Sequence, residues 1–112
     1  MEIQFDTKQL EKEFNTEKLL VRRHVPRRAK LIMLRLQQLR AAEILQHMRR
    51  LPQVRCHELT VNLAGQLSVD LDGPYRLIIV PADDPLPRKA DGGLDWNGVT
   101  AIIVLGVENT HE

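Results

Sequence analysis

The sequence is poor in aromatic residues and in cysteine, and it has no long apolar run. Aromatic residues make up 4% of the 112 residues and hydrophobic residues 43%, so we expect a core of aliphatic side chains. The single Cys56 cannot form an internal disulfide, which favours a reducing compartment. No apolar stretch reaches the roughly 20 residues that span a bilayer, and residues 1–5 lack the basic-then-apolar pattern of a signal peptide. We therefore expect a cytoplasmic protein with no membrane partner.

The motifs of several common active sites are also missing. The four histidines and Cys56 do not have the spacings of a zinc site. The chain also has no glycine-rich loop for phosphates and no Gly-x-Ser-x-Gly nucleophile motif. The sequence therefore predicts no metal and no other cofactor.

Charge is distributed unevenly along the chain. Residues 1–55 contain 13 Lys and Arg against 6 Asp and Glu, whereas residues 56–112 contain 3 against 9. From Lys18 to Ala42 there are eight basic residues and no acidic one. Such a stretch is either a solvated helix face or a surface for an acidic protein or for nucleic-acid phosphates. No aromatic residues are interleaved with these cations, so stacking on single strands is not indicated.

Helices are predicted for the first half of the chain, after a short edge strand at residues 3–5. One helix follows an N-cap at Asp6, a second begins at Glu17, and a third begins at Pro26 and runs to about Arg40. A further helical turn precedes Leu51-Pro52. The third helix has an apolar stripe that is predicted to lie on the core: Ala29, Ile32, Met33, Leu36 and Leu39.

Strands are predicted for the second half. Residues 55–59 are a candidate strand, residues 66–71 alternate between apolar and polar, and Asp72-Gly73 is a hairpin signal that leads into a strand at residues 75–80. A polar connection at residues 82–98 precedes a buried strand at residues 100–107. The order predicts one α+β domain over residues 1–112, with N-terminal helices packed on a small twisted antiparallel β-sheet.

Arg76 is a charged residue inside an otherwise apolar strand. If the hairpin loop has two or four residues, Arg76 lies beside Val69 or Leu71 on the apolar face; if it has three, Arg76 faces Asp70 in an ordinary cross-strand ion pair. The Asp72-Gly73 signal favours an even loop, and the three-residue loop stays open as the alternative.

Three residues have the chemistry needed to cut RNA without a metal. The reaction needs a base for the 2′-hydroxyl, an acid for the leaving 5′-oxygen and a cation for the charge on phosphorus. Imidazoles titrate near neutral pH and suit either proton role, and an arginine fork binds phosphate. His57, His111 and Arg76 are the candidates for these roles.

The chain resembles the HigB-like, or plasmid maintenance killer, branch of the RelE/ParE toxin superfamily. The resemblance covers nearly the whole chain. It is carried by Met1-Glu2-Ile3-Gln4-Phe5, Leu51-Pro52, Arg55-Cys56-His57-Glu58-Leu59, Gly65-Gln66-Leu67-Ser68-Val69-Asp70-Leu71, Tyr75-Arg76-Leu77 and Val107-Glu108-Asn109-Thr110-His111.

The resemblance implies the toxin of a type II toxin–antitoxin system, with a RelE/ParE-like fold. Such toxins enter the 70S ribosome and cleave mRNA there, and a HigA-like helix-turn-helix antitoxin inhibits them. Binding of the toxin–antitoxin complex to operator DNA is a further expectation. By position, Arg76, His57 and His111 match the family's catalytic residues. The expected contacts to RNA, ribosome or antitoxin are Arg22, Arg23, Arg27, Arg28, Lys30, Arg35 and Arg55.

Two segments depart from the family's pattern. Thr110 stands where many members have a tyrosine, and residues 59–64 replace a loop that is often basic. Two alternatives therefore stay open. One is a toxin that inhibits a target such as DNA gyrase without cutting RNA, and the other is a weakened homologue that acts mainly through binding its antitoxin.

Overall fold

The computed structural model describes residues 1–60 and 65–109. Three α-helices lie in the first half of the chain: α1 (Lys8–Phe14), α2 (Glu17–Arg23) and α3 (Pro26–Ala41). Two 3₁₀ segments follow, at Leu45–Arg50 and Pro52–Val54. The strands are β1 (Glu2–Phe5), β2 (His57–Glu58), β3 (Leu67–Asp70), β4 (Tyr75–Pro81) and β5 (Ala101–Asn109). Helices followed by a sheet confirm the predicted α+β class.

The strands form a mixed sheet in the order β1-β5-β4-β3-β2. The pairs β2–β3, β3–β4 and β4–β5 are antiparallel, but β1 runs parallel to β5, with Ile3 opposite Ile102. The prediction of a wholly antiparallel sheet is therefore wrong at this one pair. β5 is an interior strand, as its apolar sequence predicts.

Local sequence explains where the helices begin. Pro26 is the first residue of α3, where its missing N–H is not needed. The α1 helix is capped by Thr7, whose hydroxyl accepts a hydrogen bond from the Leu10 N–H at 3.0 Å. The prediction of Asp6 as the N-cap is thus wrong by one residue.

The helices cover one face of the sheet and share a hydrophobic core with it. The α3 stripe is confirmed, because Ala29, Ile32, Leu36 and Leu39 are fully or almost fully buried and Met33 is half-buried against them. Alternate strand residues complete this core: Leu67, Val69, Leu77, Ile79, Ile102 and Val104. The residues between them therefore point to the other face of the sheet. Among the residues described, no helix is long and apolar enough to cross a membrane.

The β3–β4 hairpin decides the neighbours of Arg76. Leu71 N–H donates to the Tyr75 carbonyl, so the loop has three residues, 72–74, and Asp70 faces Arg76. The prediction of a loop with two or four residues is therefore wrong, and the alternative of a three-residue loop, with Arg76 facing Asp70, is confirmed. Gly73 has a φ of 55°, and Tyr75 N–H closes the turn on the Asp72 carbonyl. Pro74, whose ring fixes φ near −65°, fits the second central position of a type II′-like turn and excludes a type I′ turn there.

The long connection between β4 and β5 is held at two points. Asp83 accepts hydrogen bonds from the Thr100 N–H, the Thr100 hydroxyl and the Ala101 N–H. Trp96 is buried and donates its indole N–H to Glu58 Oε2 at 3.0 Å. These contacts tie the connection to the start of β5 and to β2.

Candidate functional site

The candidate site lies on the face of the sheet opposite the helices, which we call the site face. Strand register places His57 opposite Ser68 and Asp70 opposite Arg76, and residues opposite one another share a face. His57 and Arg76 are separated by two strand spacings across the sheet and by two residues along it. This corresponds to roughly 12 Å between their Cα atoms. The register thus places both side chains on one face, with the buried Ser68 and Ile78 between them.

The Arg76 guanidinium lies beside a carboxylate that it does not fully engage. Arg76 Nε is 3.4 Å from Asp70 Oδ1, and the Arg76 side chain is only 12% exposed. Within the described part of the chain, neither Arg76 Nη1 nor Asp70 Oδ1 has a hydrogen-bond partner, although both atoms are buried. An unused buried donor costs about 1–3 kcal/mol, so a ligand that accepts from it would be stabilised.

Two further arginines converge on the same residue. Arg55 Nη1 is 3.5 Å from Asp70 Oδ2, and the Arg55 side chain is 63% exposed. Arg35, on α3, is buried and donates its Nε–H to the backbone carbonyl of Asp70 at 2.7 Å. Burial lowers the pKa of Arg35, and the nearby Asp70 carboxylate partly offsets this. Three arginines thus surround Asp70 at this end of the sheet, and Glu108 on β5 lies opposite Arg76.

His57 is half-buried and oriented by two contacts. Its Nδ1 lies 3.1 Å from the Glu58 carbonyl, which can only accept, so Nδ1 carries the proton in this arrangement. Its Nε2 lies 3.4 Å from Ser68 Oγ and is left as an acceptor. To act as a general base, Nε2 would have to accept a proton from the substrate in place of its contact with Ser68 Oγ.

Arg28, one of the expected contact residues, is bound within the fold and is not presented at the surface. Its Nε and Nη2 atoms donate to the two carboxylate oxygens of Asp72 at 2.8 and 3.2 Å, and its guanidinium lies 3.4 Å from the centre of the Tyr75 ring. Both Arg28 and Asp72 are largely shielded, with side chains 15% and 14% exposed. Arg28 therefore links α3 to the hairpin. Arg35 is likewise engaged within the molecule.

The remaining predicted contact residues lie at the corner of α2 and α3. Arg22, Arg23, Arg27 and Lys30 are exposed, and Arg23 lies 3.7 Å from Glu13. Two shallow grooves flank the corner. The first, of about 380 Å³, is lined by Gln9, Lys12, Glu13, Leu19, Arg22 and Arg23. The second, of about 410 Å³, is lined by Pro26, Arg27, Lys30 and Leu31. We call this region the basic corner.

Some sequence features lie outside the described residues, and Cys56 is not a candidate nucleophile. His111 and Thr110 lie outside the described residues, as do residues 61–64 of the loop that departs from the family's pattern. Cys56 is half-buried, and burial raises the pKa of its thiol to about 12, so it is unsuited to nucleophilic work. In residues 1–60 and 65–109, no group of three His, Cys, Asp or Glu side chains could hold a metal ion.

The sequence predictions did not single out Ser68, named Asp70 only as the partner of Arg76 in the three-residue loop, and gave Arg35 as a surface contact. Asp70 and Ser68 are on the polar side of the alternating β3 segment, and that alternation is the signal that could have identified them as site residues. The residues next to Arg35 along α3 have no pattern from which the burial of this arginine could have been predicted.

Comparison of the chain with models of protein families, with curated proteins and with solved structures found no match. The resemblance to HigB-like toxins therefore stays a prediction from the sequence motifs.

Proposed function

We propose that this protein is the toxin of a type II toxin–antitoxin system and that it cleaves mRNA on the ribosome without a metal. The observation that carries the proposal is the position of Arg76. It is largely buried on the site face, has an unused Nη1 donor, and lies near Arg55 and on the same face as His57. A cation in such a position is suited to hold a phosphate.

The proposed mechanism assigns a role to each group. Arg76 donates to the phosphate and stabilises the additional charge on the pentacoordinate phosphorus. His57 Nε2 accepts the proton of the 2′-hydroxyl, whose oxygen then attacks phosphorus. The bond to the 5′-oxygen breaks, and that oxygen takes a proton from an acid, for which His111 is the sequence candidate. The products are a 2′,3′-cyclic phosphate and a free 5′-hydroxyl.

The basic corner supports the binding part of the proposal. Its exposed cations Arg22, Arg27 and Lys30 are suited to ribosomal RNA phosphates or to an acidic antitoxin surface. We propose a helix-turn-helix antitoxin as the inhibitor and the 70S ribosome with its mRNA as the target. Arg28 and Arg35 would act from within the fold, by holding the hairpin and the site end of β3.

A second candidate function is inhibition of a protein target without cleavage. The grooves of the basic corner favour it, because they combine apolar Leu19 and Leu31 with basic rims, and Val21 and Val25 are exposed nearby. Such a surface suits an acidic protein with apolar anchors. Under this alternative, or for a weakened homologue, replacing Arg76 would change toxicity little.

The test is primer extension on a translated reporter mRNA after brief induction of three forms. These are the wild type, Arg76→Ala, and the control Arg88→Ala, whose exposed side chain bonds only to the Gly92 carbonyl in the described structure. We expect new 5′ ends at codon-spaced positions with the wild type and Arg88→Ala and none with Arg76→Ala. Growth arrest without new ends would contradict cleavage and favour the second candidate.

A further inference from the structure

Arg55 and Arg76 both lie close to the carboxylate of Asp70, and neither makes a well-formed hydrogen bond with it. Asp70 Oδ1 is 3.4 Å from Arg76 Nε, and Asp70 Oδ2 is 3.5 Å from Arg55 Nη1. A well-formed hydrogen bond between charged nitrogen and oxygen is roughly 2.8 Å long. Asp70 thus pairs with both guanidiniums but closely satisfies neither.

The charge around Asp70 is unbalanced. Arg35 is buried behind it and bonds to its backbone carbonyl and to the Gln38 side chain, not to a carboxylate. Glu108 faces Arg76 from β5, but no ion pair joins them in the described part of the chain. Partly buried positive charge without full compensation is costly. An anion with more charge and more oxygens than a carboxylate would therefore be stabilised here.

The backbone of Arg55 adds a second observation. Arg55 adopts the left-handed conformation, with φ 48° and ψ 52°, at the end of the second 3₁₀ segment. Non-glycine residues in this region are strained, and such residues concentrate at binding and active sites. Here the strained residue is also the one whose guanidinium reaches Asp70.

We propose that the Asp70 carboxylate occupies, in the free protein, the place that a phosphate group takes between Arg55 and Arg76, so that the two exclude one another. Asp70 then competes with the phosphate from within the molecule. It keeps the two arginines oriented and lowers their affinity for anions in general. Only the assignment of the phosphate to RNA rests on the proposed function. The pairing of phosphate with these arginines does not.

The first test titrates inorganic phosphate into the full chain and follows binding by calorimetry. Asp70→Asn removes the negative charge with little change in shape, so we expect phosphate to bind about tenfold tighter than to the wild type. Asp91→Asn is the control, because it makes the same change in net charge in the exposed β4–β5 connection and leaves its contact with Gly93 N–H available. Equal affinity of Asp70→Asn and wild type would overturn the proposal.

A second variant tests the proposal without altering Asp70. Arg55 is largely exposed, so Arg55→Gln is expected to fold and to bind phosphate at least about fivefold more weakly. Arg49 is also exposed and stacks on Trp96, and Arg49→Gln is expected to leave the affinity unchanged. If Arg55→Gln and Arg49→Gln have the same effect, the arginine pair is not the site.

Repeating the titrations with a short RNA whose 2′-hydroxyls are methylated separates this inference from the proposed function. Tighter binding of both RNA and inorganic phosphate by Asp70→Asn supports the inference and RNA as the source of the phosphate. Tighter binding of inorganic phosphate alone upholds the competition but counts against an RNA substrate. If wild type cleaves mRNA while Asp70→Asn binds neither probe more tightly, the proposed function stands and the inference fails.

Discussion

Replacing Arg28 by alanine is expected to loosen the joint between α3 and the β3–β4 hairpin. Arg28 makes a two-bond ion pair with Asp72 and stacks on Tyr75, and both charged partners are largely shielded from water. Because these contacts connect residues far apart in the chain, they form only in the folded state. The substitution should therefore lower the free energy of unfolding rather than change binding alone.

The expected loss follows from the two contacts. A partly shielded two-bond ion pair contributes about 1–2 kcal/mol, and a guanidinium over a tyrosine ring about 0.5–1 kcal/mol. Arg28→Ala should therefore cost about 2 kcal/mol, which lowers the urea midpoint by roughly 1 M for a domain of this size. Arg28→Lys keeps the charge but loses the two-bond geometry, so its free energy of unfolding should lie between those of the wild type and Arg28→Ala.

Urea unfolding followed by circular dichroism measures these losses. A double-mutant cycle with Asp72→Asn isolates the ion pair, for which we expect a coupling of about 1 kcal/mol. Burial alone would raise the pKa of Asp72, but the hydrogen bonds and charge of Arg28 outweigh it and lower that pKa. The contribution of Asp72 is thus fully present above its unfolded pKa and is lost as the pH falls below about 4. An Arg28→Ala protein as stable as wild type, or a coupling near zero, would show that the ion pair does not stabilise the fold.

Two further predictions concern Trp96 and Cys56. Trp96→Phe should cost about 1–2 kcal/mol in urea unfolding, because the indole bond to the Glu58 carboxylate is lost, and unchanged stability would contradict that role. Cys56 should react with iodoacetamide at pH 8 at least about a hundredfold more slowly in the native protein than in urea, since burial raises its pKa to about 12; similar rates would show an accessible thiolate.

Much of the fold follows from local signals in the sequence. Pro26 fixes the start of α3, the apolar stripe of α3 identifies its buried side, and the alternation of residues 66–71 identifies the core face of β3. These signals are local because they depend on the period of the helix or strand. The direction of β1 beside β5 is not local, since an edge strand can pair in either direction with the same residues.

The site was predicted only in part. Arg76 and His57 are the candidates that the sequence offers, and strand register places them on one face. Asp72-Gly73 alone does not fix the loop length, because Gly73-Pro74 as the central pair gives a three-residue loop and places Arg76 next to Asp70. The burial of Arg35 and the pairing of Arg28 depend on how α3 lies on the hairpin, which no local pattern specifies.

A cleavage assay with purified components tests the proposed nuclease activity. Ribosomes programmed with a defined mRNA would be incubated with wild type, Arg76→Ala or Arg88→Ala, using one mRNA with ribose and one with 2′-deoxyribose at the cut position. The proposed mechanism predicts a product ending in a 2′,3′-cyclic phosphate for wild type and Arg88→Ala on the ribose mRNA only. Cleavage by Arg76→Ala, or cleavage of the deoxyribose mRNA, would contradict it.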